Sequence, residues 1–186
     1  MDVISNSAAR YARLREEEMS LDEYLSLCQR DPMAYAGASQ RMLSVIGEPE
    51  MVDTRNDPVL SRLFANKVIR RYPAFSEFYG MEDAIEQVVS FFRHAAQGLE
   101  ERKQILYLLG PVGGGKSSIA ERLKYLMQKA PFYALKGSPV NESPLGLFDA
   151  VEDGPVLEDE FGIPRRSLQH VLSPWAVKRL EEFGGD

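Results

Sequence analysis

The chain has 186 residues, 44% of them hydrophobic and 27% charged, with a formal net charge of −6 at pH 7. That apolar fraction supports a globular core, and the acidic balance argues against a broad nucleic-acid-binding surface. One cysteine, Cys28, and two histidines, His94 and His170, exclude an internal disulfide and a Cys/His zinc set. No apolar run approaches membrane-spanning length and the start has no signal-peptide pattern, so a cytoplasmic protein without a membrane partner is expected.

Residues 1–50 read as short helices. Ser20-Leu21-Asp22-Glu23 forms a capping-box pattern, followed by Leu21, Tyr24, Leu25 and Cys28 on one face. Asp31-Pro32 offers an N-cap with proline at the first helical position, and Gly47 stops the helix that Tyr35, Ser39, Met42, Leu43 and Ile46 line. Nothing in this segment carries chemistry, and a helical adaptor or packing element is expected. Residues 51–74 read as a connector with one short helix around Pro58 to Phe64. Its basic cluster of Arg62, Lys67, Arg70 and Arg71 reads as a solvated face.

From Met81 to Gln97 the apolar positions Met81, Ala84, Ile85, Val88, Val89, Phe92, Ala95 and Ala96 follow an amphipathic helical period, which Gly98 ends. Next, Ile105-Leu106-Tyr107-Leu108-Leu109 is a continuous apolar run of strand length. It leads directly into Gly110-Pro111-Val112-Gly113-Gly114-Gly115-Lys116-Ser117, which fits the P-loop pattern G-x-x-x-x-G-K-[ST]. In such a loop the glycines let consecutive N–H groups converge on a phosphate oxygen, and the following helix adds its N-terminal dipole. Lys116 would reach the β- and γ-phosphates, and the Ser117 hydroxyl would hold Mg²⁺. Ile119, Ala120, Leu123, Met127 and Ala130 keep helical spacing until Pro131, so strand, loop and helix occur in the order the motif requires. The expected ligand is ATP or ADP with Mg²⁺.

Phe132-Tyr133-Ala134-Leu135 looks like a second strand, residues 137–155 like a long loop, and Ser173-Pro174 starts a last helix that Gly184-Gly185 stops. The fold class expected from these elements is α/β: a three-layer P-loop fragment with parallel strands, preceded by a small all-helical segment. Residues 75–186 would be the N-terminal part of that nucleotide-binding domain, with an incomplete core. The acids of Val156-Leu157-Glu158-Asp159-Glu160 could end a Walker B strand, but only two apolar residues precede them. An acidic helix start explains the same residues. No H-R-D, V-A-I-K or D-F-G sequence of the protein-kinase fold is present, and no catalytic residue is assigned.

The ordered combination of Gly47-Glu48-Pro49, Tyr72-Pro73-Ala74-Phe75, Phe78-Tyr79-Gly80-Met81-Glu82-Asp83-Ala84-Ile85-Glu86, the glycine loop through Ser118, Gly162-Ile163-Pro164-Arg165-Arg166 and Ser173-Pro174-Trp175-Ala176 resembles the N-terminal part of the bacterial PrkA family of serine protein kinases, from about residue 10 onward. The resemblance implies an AAA-type ATPase domain in a longer, stress-associated parent with a kinase-like region and a protein substrate or client. Homo-oligomers through that domain are also implied. By the same analogy Tyr79 and Gly80 would border the adenine, with Ile85 nearby, beside a phosphate site made by Gly110, Pro111, Val112, Gly113, Gly114, Gly115, Lys116, Ser117 and Ser118. Its remaining ATPase elements would lie beyond Asp186, so nucleotide binding without efficient turnover is expected. Two other functions compete: a non-catalytic interaction or oligomerisation fragment whose helices dock partners, and a small-molecule or nucleotide kinase. The acid-rich stretch 137–160 disfavours the last, which wants an arginine-rich lid.

Overall fold

The computed structural model describes residues 6–7, 18–168 and 171–184. In chain order they form α1 (Leu21–Arg30), α2 (Ala38–Ile46), β1 (Glu50–Asp53), α3 (Pro58–Phe64), β2 (Val68–Arg71), α4 (Glu82–Ala96), α5 (Lys116–Met127), α6 (Gly154–Phe161) and α7 (Pro174–Phe183), with short 3₁₀ turns between them. Most of the helical reading of residues 1–17, and Gly185 at the final stop, lie outside the described residues.

Local signals account for the helix boundaries. Ser20 and Glu23 close the capping box: the Ser20 Oγ accepts from the Glu23 N–H (3.3 Å) and the Glu23 Oε2 accepts from the Ser20 N–H (2.8 Å). Asp57 accepts from the N–H groups of Val59 and Leu60 ahead of Pro58, and Ser173 accepts from the Ala176 N–H ahead of Pro174. Gly47 and Gly184 end their helices at φ of 76° and 66°, where a side chain would be strained.

The chain divides into two compact units. One comprises Met33–Tyr133. Its core gathers Met42 and Ile46 of α2, Tyr72 and Phe75, Ile85 and Val89 of α4, and Leu126 of α5. Of the apolar stripe of α4, Ile85, Val88, Val89 and Ala95 are buried, Met81, Phe92 and Ala96 half-buried and Ala84 exposed, and the helix packs against α2 and β2. The Tyr72 hydroxyl donates to Glu86 Oε2 (2.7 Å), while Arg70 donates to Glu86 Oε1 (2.7 Å) and Arg93 to the Tyr72 oxygen (3.2 Å). This network ties β2 to α4. Burial, aided by the Glu86 hydrogen bond, pushes the Tyr72 hydroxyl pKa up.

The other unit comprises Met1–Pro32 and Ala134–Asp186. Here α1 packs on α6, and Gln29 Nε2 donates to the Glu160 carbonyl (2.7 Å). Tyr24, Leu25, Cys28, Leu157, Ile163 and Leu168 are buried. Burial raises the pKa of the Cys28 thiol, in keeping with a small apolar packing residue.

The expected α/β fold with parallel strands is not what forms. Among the described residues the sheet has two strands, β1 and β2, paired antiparallel with Met51 opposite Arg70 and Val52 opposite Ile69. Both lie in the stretch read as a connector. Neither Ile105–Leu109 nor Phe132–Leu135 is a strand. The reason is that a strand is defined by its neighbours: its N–H and C=O groups need a ladder, and none of the described elements supplies one. Ile105, Tyr107 and Leu109 are instead 91%, 76% and 80% exposed.

Candidate functional site

The glycine loop runs from the end of this exposed segment into α5. Gly113 and Gly115 adopt φ of 79° and 74°, and Gly115 is the N-cap of α5, so Lys116 is its first helical residue. The Gly114 N–H donates to the Pro111 carbonyl (3.2 Å). A Cβ on Gly114 would lie 3.1 Å from that same oxygen, a tight contact that a side chain would relieve only if the turn shifted by a few tenths of an ångström. Ser117 and Ser118 are exposed on the first turn of α5, and Pro111, Val112, Gly113 and Gly114 are also exposed.

These features fit an anion locally: free N–H groups at the start of a 12-residue helix, with small residues around them. Two features do not match a complete P-loop. The Lys116 ammonium donates to the Gly110 carbonyl (2.7 Å) and the Pro111 carbonyl (2.5 Å), so it is held by the loop itself. And no strand frames the loop from the N-terminal side.

Met81 is the link to the second half of the site. A Cβ on Gly115 would fall 2.9 Å from its Sδ, so the loop and the segment Tyr79-Gly80-Met81 are in contact. Arg122 of α5 reinforces this, donating from Nε to the Ala74 carbonyl (2.6 Å) and pairing with Glu77 at 3.3 Å. Gly80 has φ of 74° and Tyr79 is 84% exposed, whereas Ile85 is buried in the core.

Tyr79 and Ile85 both line a cavity of about 210 Å³, together with Arg70, Arg71, Tyr72, Phe75, Ser76, Phe78 and Glu82. Glu82, the first residue of α4, is only 6% exposed; its Oε1 lies 3.7 Å from Arg71, and its Oε2 has no hydrogen-bond partner. Sequence reasoning passed over Glu82 because an acid in a helix's first turn is ordinary. Only packing distinguishes it from its neighbour Asp83.

The Walker B candidate resolves the other way. Val156-Leu157-Glu158-Asp159-Glu160 lies within α6, so these acids sit on a helix and end no strand. Arg165 pairs with Glu158 at 3.4 Å and packs its side chain over Gly154, as a structural residue does.

Residues 19–186 match the PrkA AAA domain. The chain belongs to the PrkA family. It is 61% identical over 190 residues to the "Serine/threonine kinase YeaG" of Escherichia coli (strain K12), a match covering 100% of this chain and 30% of that protein. It is also 32% identical over 203 residues to the "ATP-dependent protease PrkA" of Bacillus subtilis (strain 168), covering 100% of this chain and 28% of that protein. The chain thus spans about 30% of the length of the curated relatives it matches. These two PrkA relatives carry different activities in their names, a kinase and a protease. No solved structure matches the chain.

Proposed function

We propose that this chain acts as a docking segment within a PrkA-type protein. The observation that carries the reading is the run Ile105–Leu109, which lies outside any helix or strand and exposes the apolar side chains of Ile105, Tyr107 and Leu109. An open extended segment with unladdered backbone is a template for strand addition, and burying its side chains supplies the driving force. The occupant we propose is a β-sheet of the PrkA-type polypeptide outside the matched region. Amide hydrogen exchange tests this. Adding the part of the Escherichia coli relative that lies outside the matched region is expected to slow exchange at residues 105–109. Unchanged exchange there, with binding otherwise demonstrated, overturns the proposal.

A second reading attaches to the same place. The positive-φ glycines, the start of α5 and the contact of Met81 with Gly115 support Mg²⁺-ATP binding by Gly110–Ser118, with Ser117 on the metal and Tyr79, Gly80 and Ile85 beside the base. Efficient turnover is not part of this proposal. Phosphorylation or remodelling of a client protein, homo-oligomerisation and a cytoplasmic setting belong to the PrkA-type protein as a whole and are proposed only at that level.

A further inference from the structure

The stretch Pro58–Val68 carries two cations, Arg62 and Lys67, and no acid, in a chain whose formal net charge is −6. Both are exposed, and neither has a carboxylate partner among the described residues. Their neighbours Arg55, Arg70 and Arg71 are by contrast paired with Asp53, Glu86 and Glu82. Asp57, the nearest acid in sequence, is committed to the start of α3, where its Oδ1 accepts from the Val59 and Leu60 N–H groups. Arg62 lies in the last turn of α3, and the Lys67 N–H donates to the Phe64 carbonyl (3.1 Å), which holds Lys67 at the C-terminal end of the same helix. Apolar surface accompanies these cations. Val59 and Leu63 stand four residues apart on α3, hence on one face, and each is more than half exposed, while Phe64 is buried. In the hairpin, alternation puts Met51 and Val68 on the face opposite Val52 and the buried Ile69, and they too are more than half exposed.

We infer that the exposed face of α3 is a docking site for an acidic amphipathic helix of a partner protein. Apolar residues of that helix at i and i+3 or i+4 cover Val59 and Leu63, since a ridge of side chains one turn apart fits the groove of a second helix. Its carboxylates pair with Arg62 and Lys67. Charge complementarity sets the sign of the occupant: a carboxylate arriving there meets cations that no acid of the described residues neutralises, so it gains an ion pair without breaking one. An anionic bilayer fits less well, because it presents its charge to the whole chain, whose balance is acidic, and two unpaired basic residues are few to hold it. A single helix feels chiefly the charges within a screening length of where it docks. This face shares no residue with Ile105–Leu109 or with the glycine loop, so it can be altered separately.

A random library of helical peptides displayed on phage tests this. It is selected in parallel on the 186-residue chain and on its Arg62→Glu/Lys67→Glu variant, and the recovered peptides are titrated against both. Peptides recovered on the wild type are expected to carry acids beside apolar residues at i and i+3 or i+4. They are expected to lose about tenfold or more of their affinity on the charge-reversed variant, which should itself recover peptides rich in lysine and arginine. Val59→Ser/Leu63→Ser alters exposed side chains only and is expected to keep the melting temperature while weakening the acidic peptides to a similar degree. Arg62→Lys, which keeps the charge, is expected to retain their binding. Recovered peptides without an acidic bias, equal affinity for the wild type and the charge-reversed chain, or no recovered peptide at all overturns the inference. So does binding to phosphatidylglycerol vesicles, or self-association of the chain, that the same charge reversal abolishes while no acidic peptide binds.

Discussion

Met81 Sδ occupies the space into which a side chain on Gly115 would grow: a Cβ there would lie 2.9 Å from it. Gly115 is therefore constrained twice, by this contact and by its φ of 74°. Gly115→Ala is expected to destabilise the chain by about 1–3 kcal/mol, combining left-handed strain with the steric clash. Met81→Ala in the same background is expected to recover the steric part and leave the backbone part, which urea unfolding of the single and double variants measures. An additive double variant would mean that the two residues do not press on each other.

Lys116 stands at the first position of α5 with its ammonium on two loop carbonyls. If the loop binds ATP, Lys116→Ala is expected to weaken affinity by about 1.5–3 kcal/mol, the scale of a hydrogen bond to a charged group. Titration calorimetry of both proteins with Mg²⁺-ATP checks this. Equal affinities would remove Lys116 from the phosphate site.

Val88 and Tyr79 lie close in sequence but in opposite environments, one buried in α4 and the other largely exposed. Val88→Asp places an unpaired charge in the core and is expected to unfold or aggregate the chain. Tyr79→Ala is expected to leave the melting temperature nearly unchanged, because the ring fills no core gap. If the ring stacks on a base, the variant loses about 1–3 kcal/mol of nucleotide affinity. A large fall in melting temperature for Tyr79→Ala would show the ring to be structural instead.

Glu142 accepts from the Ser173 N–H, from the Ser173 hydroxyl (2.9 Å) and from the Ser138 hydroxyl (3.0 Å). The Ser173 backbone N–H is the largest influence holding its carboxyl below the ordinary value of 4.5. A depressed carboxylate pKa contributes stability at pH values above the unfolded-state value, and that contribution is lost as pH falls through the folded-state value. Trp175 of α7 lies one residue beyond Pro174 and reports on this helix start. Its fluorescence is expected to change on acidification below the ordinary Glu range in the wild type, with Glu142→Gln removing that component. An identical acid titration in the variant would dissociate the carboxylate from the start of α7.

The sequence by itself determined several helices and their ends, but not all. The helix read from Asp31-Pro32 begins only at Ala38, after a 3₁₀ turn at Pro32–Tyr35 and with Gly37 as its N-cap, and α6 forms over Gly154–Phe161, where the sequence reads as a loop and an acidic stretch. Ser20 with Glu23, Asp57 with Pro58, and Ser173 with Pro174 act on backbone groups two or three residues away, so no distant partner is needed to read them. The buried stripe of α4 was legible for the same reason: a 3.6-residue period needs only its own chain. Strands were not legible. Ile105–Leu109 has strand composition but no neighbour to ladder with, while the more polar Glu50–Asp53 and Val68–Arg71 pair because Asp57, Pro58 and α3 turn the chain back. The Thr54 hydroxyl and N–H both donate to the Lys67 carbonyl, closing that turn. The candidate site divides along the same line. Its glycines, Lys116 and Ser117 announce themselves by spacing, but the contact of Met81 with Gly115 and the unpaired oxygen of Glu82 arise only when α4, β2 and α5 pack together. Burial and the loss of a hydrogen-bond partner are properties of what surrounds a residue, and those surroundings come from distant parts of the chain.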